Sequence, residues 1–216
     1  MDMADKPFAT DGPFAPDEPL TADEPFATDE LLAANEAFAT DESSVTGKLS
    51  TTDESFMRLA LAQASLAASI GEAPIGAVVV HDGAVVASGY NRREIDADPS
   101  AHAELIALRE AARALGRWRL SGCTVYVTLE PCLMCAGLMV QSRIDRCVYG
   151  AIDPKGGALG TLYQVNADER LNHSFTVTAG VLAEECSELL SGFFADLRVL
   201  SKQRRYADKQ EAEGCL

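Results

Sequence analysis

The feature that most constrains the fold of this chain is the alternation of strand-like and helix-like segments after residue 50. The stretch "PIGAVVVHDGAVVASGYN" contains two apolar runs joined by Asp82-Gly83, a pair typical of the type I′ turn of a β-hairpin. The stretch "CTVYVTL" is apolar at most positions, which indicates a strand covered on both faces. "RCVYGAI" and "SFTVTAGV" are two further strand candidates.

Helical patterns separate these strands. "SAHAELIALREAARALG" predicts a helix that Ser100 caps and that Gly116 ends. "PCLMCAGLMVQSRI" predicts a second helix with Pro131 in its first turn. "LAEECSELLSGFFADLRVLSKQRR" predicts a long C-terminal helix. Helices that alternate with strands in this way predict an α/β domain.

The start of this domain is marked by a capping box. Thr51 is followed three residues later by Glu54, and "ESFMRLALAQASLAASI" then has apolar residues near helical spacing up to Gly71. We therefore assign residues 51–203 to the folded domain and residues 204–216 to a polar C-terminal tail.

The segment before the domain is a repeat. Residues 7–42 read "PFATDG PFAPDE PLTADE PFATDE LLAANE AFATDE", six hexapeptides of one pattern. The pattern disfavours a stacked β-helix. Proline cannot donate to a sheet ladder, and the acidic residues of neighbouring coils would place like charges side by side. These features predict that residues 1–50 form a disordered acidic tail. The alternatives are an array of short binding motifs with phenylalanine anchors, or a duplicated coding stretch without a selected role.

The net charge of −15 is concentrated in this tail. Residues 1–55 contain 14 acidic and 2 basic residues, whereas residues 56–216 contain 19 acidic and 16 basic residues. The body of the protein is therefore nearly neutral, and its charge does not exclude a nucleic-acid partner.

The sequence also bears on the compartment. No apolar run approaches the roughly 18 residues that a membrane span needs, and "MDMADKPF" lacks the basic and apolar regions of a secretory signal. We therefore expect no membrane attachment and a cytoplasmic location. Without a secretory signal, the six cysteines are expected to bind metal, react or fill the core rather than form a disulfide scaffold.

Two of these cysteines have metal-ligand spacing. Cys132 and Cys135 are three residues apart at a predicted helix start, which places both thiols on one face. That arrangement suits two bonds to a tetrahedral Zn²⁺. A thioredoxin-like redox pair has the same spacing, and two core cysteines could share it by chance.

His102 is the best candidate for a third ligand, because no second cysteine pair is present. Three protein ligands leave a fourth position for water, as in catalytic zinc sites. Glu104 follows His102 by two residues and could move the proton of that water. Its alternative role is a favourable interaction with the dipole at the helix N-terminus. His81 and His173 lack a comparable acidic neighbour in a helix start, so we expect other roles for them.

His-x-Glu followed by Pro-Cys-x-x-Cys is the signature of zinc-dependent nucleobase deaminases. With "APIGAVVV", "GYNRRE", "DPSAHAE", "TLEPCLMCAG" and "SRIDRCVYGA", the chain from about Phe56 to about Leu200 resembles the bacterial tRNA adenosine deaminases of the cytidine/deoxycytidylate deaminase superfamily. The resemblance implies a three-layer α/β/α sandwich around a five-stranded mixed sheet. It also implies one Zn²⁺ per subunit, held by His102, Cys132 and Cys135.

The implied reaction is hydrolytic deamination of adenosine to inosine at the wobble position of a tRNA anticodon, by a zinc-activated water with Glu104 as proton shuttle. The resemblance further implies that Asn91 contacts the flipped base, that Asp153 lies near the sugar of the target nucleotide, and that the enzyme is a homodimer. Its C-terminal helix would lie along the anticodon stem. The basic residues of that helix, which otherwise form a solvated helix end, are Arg198, Lys202, Arg204 and Arg205.

Two other functions are compatible with parts of the sequence. A zinc deaminase of a free base or nucleoside, such as guanine or cytosine, would use the same ligands and the same glutamate. A non-catalytic zinc-binding protein could instead act through the N-terminal repeat, although Glu104 beside His102 argues against it.

Overall fold

The computed structural model describes residues 50–213. The hexapeptide repeat, and with it the prediction of a disordered tail for residues 1–50, lies outside the described residues apart from Ser50 itself. Within residues 50–213, no helix combines the length and the apolar character that crossing a membrane requires.

The centre of the domain is a five-stranded mixed sheet, as the family resemblance implies. The strands are β1 (Gly76–His81), β2 (Ala84–Tyr90), β3 (Cys123–Leu129), β4 (Arg146–Ala151) and β5 (Thr176–Ala179), and their order across the sheet is β2-β1-β3-β4-β5. β1 runs antiparallel to both of its neighbours, whereas β3, β4 and β5 are parallel to one another. Asp82 and Gly83 join β1 to β2 with φ angles of 51° and 77°, which fits the expected type I′ turn.

Four helices cover the sheet. They are α1 (Ser50–Ser69), α2 (Ala103–Ala114), α3 (Leu133–Ser142) and α4 (Ala183–Glu213), with a short 3₁₀ helix at Val165–Ala167. α2 and α3 pack with the inward side chains of β1 and β3 in one apolar core, and α1 and the start of α4 pack on the other face in a second core. The three-layer α/β/α sandwich is therefore confirmed.

Several predicted helix ends differ from the observed ones. α1 includes Thr51 and reaches Ser50, so it begins before the residue predicted to cap it. α2 begins at Ala103 with His102 as its N-cap, because the hydroxyl of the predicted cap Ser100 donates to Asp98 (2.7 Å) and the chain stays extended through His102. α3 begins after Cys132 rather than at Pro131.

The C-terminal helix is longer than expected. α4 continues to Glu213, so residues 204–213, assigned from the sequence to a polar tail, are helical.

The functional candidates gather at one end of the sheet, which we call the site end. Here the end of β2 lies beside the start of β1, with Tyr90 opposite Gly76, and the ends of β3 and β4 lie side by side, with Leu129 opposite Ala151. Gly89 lets α2 approach β2 closely, because a Cβ at this position would lie 2.6 Å from the carbonyl oxygen of Ala103. This contact brings the start of α2 to the site end.

Candidate active site

Three side chains with metal-binding atoms meet at the site end. His102 and Cys132 are the N-cap residues of α2 and α3, and both have extended backbone conformations. Cys135 lies in the first turn of α3 and is fully buried. The Sγ atoms of Cys132 and Cys135 are 3.6 Å apart, and they lie 3.7 Å and 3.5 Å from Nδ1 of His102. The structure therefore brings together the three ligands that the sequence predicts.

These distances fit a tetrahedral zinc ion. With Zn–S bonds of about 2.3 Å and a Zn–N bond of about 2.0–2.1 Å, tetrahedral geometry separates two sulfurs by about 3.8 Å and a sulfur from a nitrogen by about 3.6 Å. One nitrogen and two sulfur donors are also a donor set that zinc prefers. No other group of three or more suitable side chains occurs in the part of the chain that the structure describes. Three donors leave one coordination position open.

The thiols of Cys132 and Cys135 have pKa values that are shifted in opposite directions. Hydrogen bonding to Cys135 and to His102 lowers the pKa of Cys132 to about 3, despite its burial. Its hydrogen bond to Cys132, together with burial, raises the pKa of the Cys135 thiol. Metal binding requires both sulfurs as thiolates, so loading the site releases protons that the cluster otherwise retains.

Glu104 faces the same cluster from the first turn of α2. Its side chain is buried, with 4 % of the residue exposed, and burial raises the pKa of its carboxyl group. The carboxyl interacts with the thiol of Cys135 and with the charge of His102. A carboxyl group whose pKa is raised by burial is suited to accept and return a proton.

Asn91 reaches the site end directly after β2. It is 4 % exposed, and its Nδ2 donates to the carboxylate of Glu72 (2.9 Å). That carboxylate also accepts from the backbone N–H groups of Glu94 (2.7 Å) and Ile95 (2.8 Å). The next residue, Arg92, donates its N–H to the carbonyl of Ala101 (3.0 Å), directly before His102. The chain around Asn91 is thus tied to the start of α2.

Asp153 lies two residues after β4 and is half-buried. Its Oδ1 accepts the N–H of Lys155 (2.9 Å), and its own N–H donates to the carboxylate of Glu130 (3.1 Å). Burial alone would raise the pKa of Glu130, but the hydrogen bonds from Thr161 and from backbone N–H groups outweigh it and lower the pKa.

Sequence reasoning missed Glu72 and Glu130. Both are 2 % exposed and bind mainly backbone N–H groups that lie far from them along the chain. Every residue except proline carries such a donor, so the sequence contains no paired signal for either carboxylate. Only the position of Glu130 directly before Pro131-Cys132 could have drawn attention to it.

The remaining candidates lie away from the cluster. α4 packs on the face of the sheet opposite α2 and α3, and Arg198, Lys202 and Arg205 are exposed on it. The fourth predicted tRNA contact, Arg204, belongs to the same helix. His81 contacts the guanidinium of Arg117.

The other histidine and the other cysteines also have structural surroundings. His173 contacts the carbonyl oxygen of Ile144 (2.7 Å). Cys123, Cys147 and Cys186 are buried, which agrees with core packing. Cys215 lies outside the described residues.

Comparison with known proteins agrees with this geometry. Residues 50–151 match the family model described as the cytidine and deoxycytidylate deaminase zinc-binding region. The chain is 50 % identical over 150 residues to a tRNA-specific adenosine deaminase of Bacillus subtilis, covering 69 % of this chain and 93 % of that protein.

Two solved structures are also similar. A structure from studies of A-to-I editing by tRNA:A34 deaminases at the wobble position has a TM-score of 0.61 at 45 % identity, covering 62 % of this chain and 98 % of that one. A guanine deaminase from Nitrosomonas europaea shares the fold with a TM-score of 0.60 at 23 % identity, covering 81 % of this chain and 97 % of that one. The chain therefore belongs to the tRNA-specific adenosine deaminase family of zinc-dependent deaminases.

Proposed function

We propose that the protein converts adenosine to inosine by hydrolysis at the wobble position of a tRNA anticodon. The observation that carries this proposal is the meeting of His102, Cys132 and Cys135 at zinc-ligand distances beside the buried Glu104. The 50 % identity to a tRNA-specific adenosine deaminase supports the choice of substrate.

In this proposal His102, Cys132 and Cys135 hold one Zn²⁺. A zinc ion held by these residues would lower the pKa of a water to about 7 and would so supply the nucleophile. Glu104 accepts a proton from the water and delivers it to the amino nitrogen of adenosine, which leaves as ammonia while C6 gains the oxygen. Burial suits Glu104 to this task, because a raised pKa allows it to carry the proton between the two steps.

Asn91 and Asp153 hold the substrate in the same proposal. Glu72 can only accept hydrogen bonds when ionised, so it turns the amide nitrogen of Asn91 towards itself. The side-chain oxygen of Asn91 accepts no hydrogen bond within residues 50–213 and is left to accept one from the flipped base. Asp153 lies near the sugar of the target nucleotide, and the basic residues of α4 contact the anticodon stem.

We further propose that the enzyme is a cytoplasmic homodimer. An apolar groove between α2 and α3 is lined by Leu105, Leu138 and Trp118, and Trp118 is 59 % exposed. A second copy that covers this groove would bury the indole. Light scattering should then give about twice the chain mass of 23.0 kDa, and Trp118→Glu should lower the mass to that of a monomer.

Incubation with an anticodon stem-loop tests the activity. The zinc-loaded protein should produce inosine, detected by sequencing, from a stem-loop with adenosine at the wobble position. A stem-loop with adenosine at another anticodon position is the matched control and should remain unchanged. Release of ammonia from free guanine or cytosine, with an unchanged stem-loop, would contradict the proposal and favour a free-base deaminase. Zinc binding without turnover on any of these substrates would favour a non-catalytic protein.

A further inference from the structure

A buried carboxylate beside the zinc ligands has no part in the chemistry described above. Glu130 lies between the end of β3 and Cys132 and is 2 % exposed. Its Oε1 accepts the N–H groups of Leu159 (3.1 Å) and Thr161 (3.0 Å). Its Oε2 accepts the N–H of Asp153 (3.1 Å) and the hydroxyl of Thr161. All four donors belong to one segment, residues 153–161, which we call the clasped loop.

The clasped loop is also attached to the residues around the first cysteine ligand. The N–H of Ala158 donates to the carbonyl of Pro131 (2.8 Å), and Gly157 forms an antiparallel bridge with Cys132. Glu130 therefore holds the loop from one side while the backbone of Pro131 and Cys132 holds it from the other. Asp153 is the first residue of this loop, so its position depends on both attachments.

Gly157 leaves room for the carboxylate. A Cβ at this position would overlap the carboxylate of Glu130 and would lie 2.7 Å from the carbonyl oxygen of Asp153. Gly160 lies in the same loop, yet a Cβ there would meet only the hydroxyl of Tyr149, at an ordinary 3.7 Å. Alanine at these two glycines therefore distinguishes displacement of the Glu130 carboxylate and of Asp153 from a general change in the loop.

We propose that Glu130 is a positioning residue for tRNA binding: its carboxylate fixes the clasped loop against the start of α3, so that Asp153 meets the sugar of the target nucleotide. The proposal rests on the proposed function, because it presupposes a nucleotide at the site. Glu130 touches neither the substrate nor the zinc in this account. A carboxylate suits this role because it offers two acceptor oxygens to converging N–H donors, whereas an amide side chain offers only one.

Hydrogen exchange of the full-length, zinc-loaded protein tests the structural half of the proposal. In Glu130→Gln, at least one of the N–H groups of Asp153, Leu159 and Thr161 should exchange at least about tenfold faster, because the amide keeps one acceptor oxygen and replaces the other with an NH₂ group that cannot accept. Gly157→Ala should give the same change, and Gly160→Ala should not. The amides of β3 and β4 should keep their parent exchange rates in all three variants. Unchanged exchange of the loop in both Glu130→Gln and Gly157→Ala would overturn the proposal.

Kinetics with the anticodon stem-loop test the functional half. Glu130→Gln and Gly157→Ala should raise KM about tenfold, which corresponds to the loss of one contact of about 1.4 kcal/mol, with kcat per zinc changed less than about threefold. A merely structural defect would instead lower the zinc-loaded fraction and leave KM unchanged. Asp53→Asn, which breaks an ion pair at the other end of the sheet, is the control for general destabilisation and should keep the parent KM.

A double variant identifies the path of the effect. If Glu130 acts through Asp153, Glu130→Gln should have little further effect on KM in the Asp153→Ala protein. Additive effects of Glu130→Gln and Asp153→Ala on KM would overturn the proposal. A parent KM in both Glu130→Gln and Gly157→Ala, or an equal rise of KM in Gly160→Ala, would also overturn it. If the parent protein fails to deaminate the stem-loop, the proposed function fails instead, and the exchange experiment still decides whether Glu130 holds the loop.

Discussion

The carboxylates at the two ends of the sheet have different kinds of partner. At the site end, the carboxylates of Glu72, Glu104 and Glu130 are nearly inaccessible to water, and none forms an ion pair with Lys or Arg within residues 50–213. At the other end, Asp53 forms two hydrogen bonds with the guanidinium of Arg146, at 2.6 Å and 3.0 Å.

The partners of these groups explain the difference. Asp53 also accepts from the hydroxyl of Tyr126 (2.8 Å), and Arg146 donates to Thr178 (2.8 Å), so charge is paired where α1 meets β3, β4 and β5. A guanidinium bonded to one of these three carboxylates would add positive charge next to the zinc ligands and change the proton affinity of Glu104. Backbone N–H donors satisfy Glu72 and Glu130 without that effect. The site end is thus arranged for chemistry, whereas the far end is arranged for stability.

The sharpest test of this contrast is removal of a zinc ligand. Cys132→Ala should lose most of its zinc and essentially all deaminase activity, because two protein donors remain where three are needed. Zinc per chain, measured by elemental analysis, checks the result. Cys186→Ala removes another buried cysteine, on the opposite face of the sheet, and should keep one zinc per chain. Full zinc occupancy in Cys132→Ala would refute the ligand assignment.

The next effect concerns the proton shuttle alone. Glu104→Gln should keep the fold and the zinc but lose about 10²–10⁴-fold in kcat, the range that general acid–base groups supply. Single-turnover assays on the stem-loop measure the loss, and circular dichroism checks the fold. Turnover at the parent rate would show that Glu104 only interacts with the dipole at the N-terminus of α2, which is the alternative role that the sequence allows.

At the far end, Asp53→Asn should affect stability rather than catalysis. Breaking the pair with Arg146 should lower the free energy of unfolding by about 1–3 kcal/mol, because the guanidinium loses its charged acceptor and one of its two hydrogen bonds to this side chain, while kcat and KM stay at parent values. Urea unfolding gives the first quantity, and the stem-loop assay gives the second. A change in KM as large as that expected of Glu130→Gln would remove the distinction between the two ends.

The same pair predicts a pH dependence. Burial would raise the pKa of Asp53, but the hydrogen bonds from Arg146 and Tyr126 outweigh it and lower the pKa below 3.8. A carboxyl whose pKa is lower in the folded state stabilises the fold above the unfolded-state pKa of about 3.9 and loses this contribution as pH falls through the folded value. The difference in unfolding free energy between parent and Asp53→Asn should be constant above about pH 5 and shrink below about pH 4.

The sequence predicts the parts of this molecule that depend on local patterns. The Asp82-Gly83 hairpin, the five strands and the ligand set of His102, Cys132 and Cys135 all follow from spacing or from family motifs. The starts of α2 and α3 lie two residues after the predicted ones, because the hydroxyl of Ser100 donates to Asp98 and the ligand residues His102 and Cys132 occupy the N-cap positions themselves.

Long-range contacts could not be predicted in this way. Asp53 bonds to Arg146 across 93 positions of the chain, and Glu130 bonds to backbone groups in a loop whose sequence does not specify them. Such pairs exist only after the sheet has formed, so the sequence indicates the chemistry of the site but not what holds it in place.

The smallest expected effect concerns the repeat. Removal of residues 1–48 leaves α1 intact from Ser50, including Asp53 and its bonds to Arg146, and the match to the zinc-binding region begins at residue 50. Zinc content, unfolding free energy and kcat should therefore equal those of the full chain.

The removed segment contains 12 acidic and 2 basic residues, so truncation should strengthen tRNA binding slightly at low salt. At about 0.15 M salt the Debye length is about 8 Å, and most of this repulsion is screened. Filter binding at both salt concentrations measures the difference, with a scrambled repeat of the same composition as the control. Loss of zinc or of stability on truncation would show that the repeat packs on the domain. If the truncated and the full chain bind the tRNA equally well at low salt as well as at about 0.15 M, the charge of the repeat does not reach the tRNA.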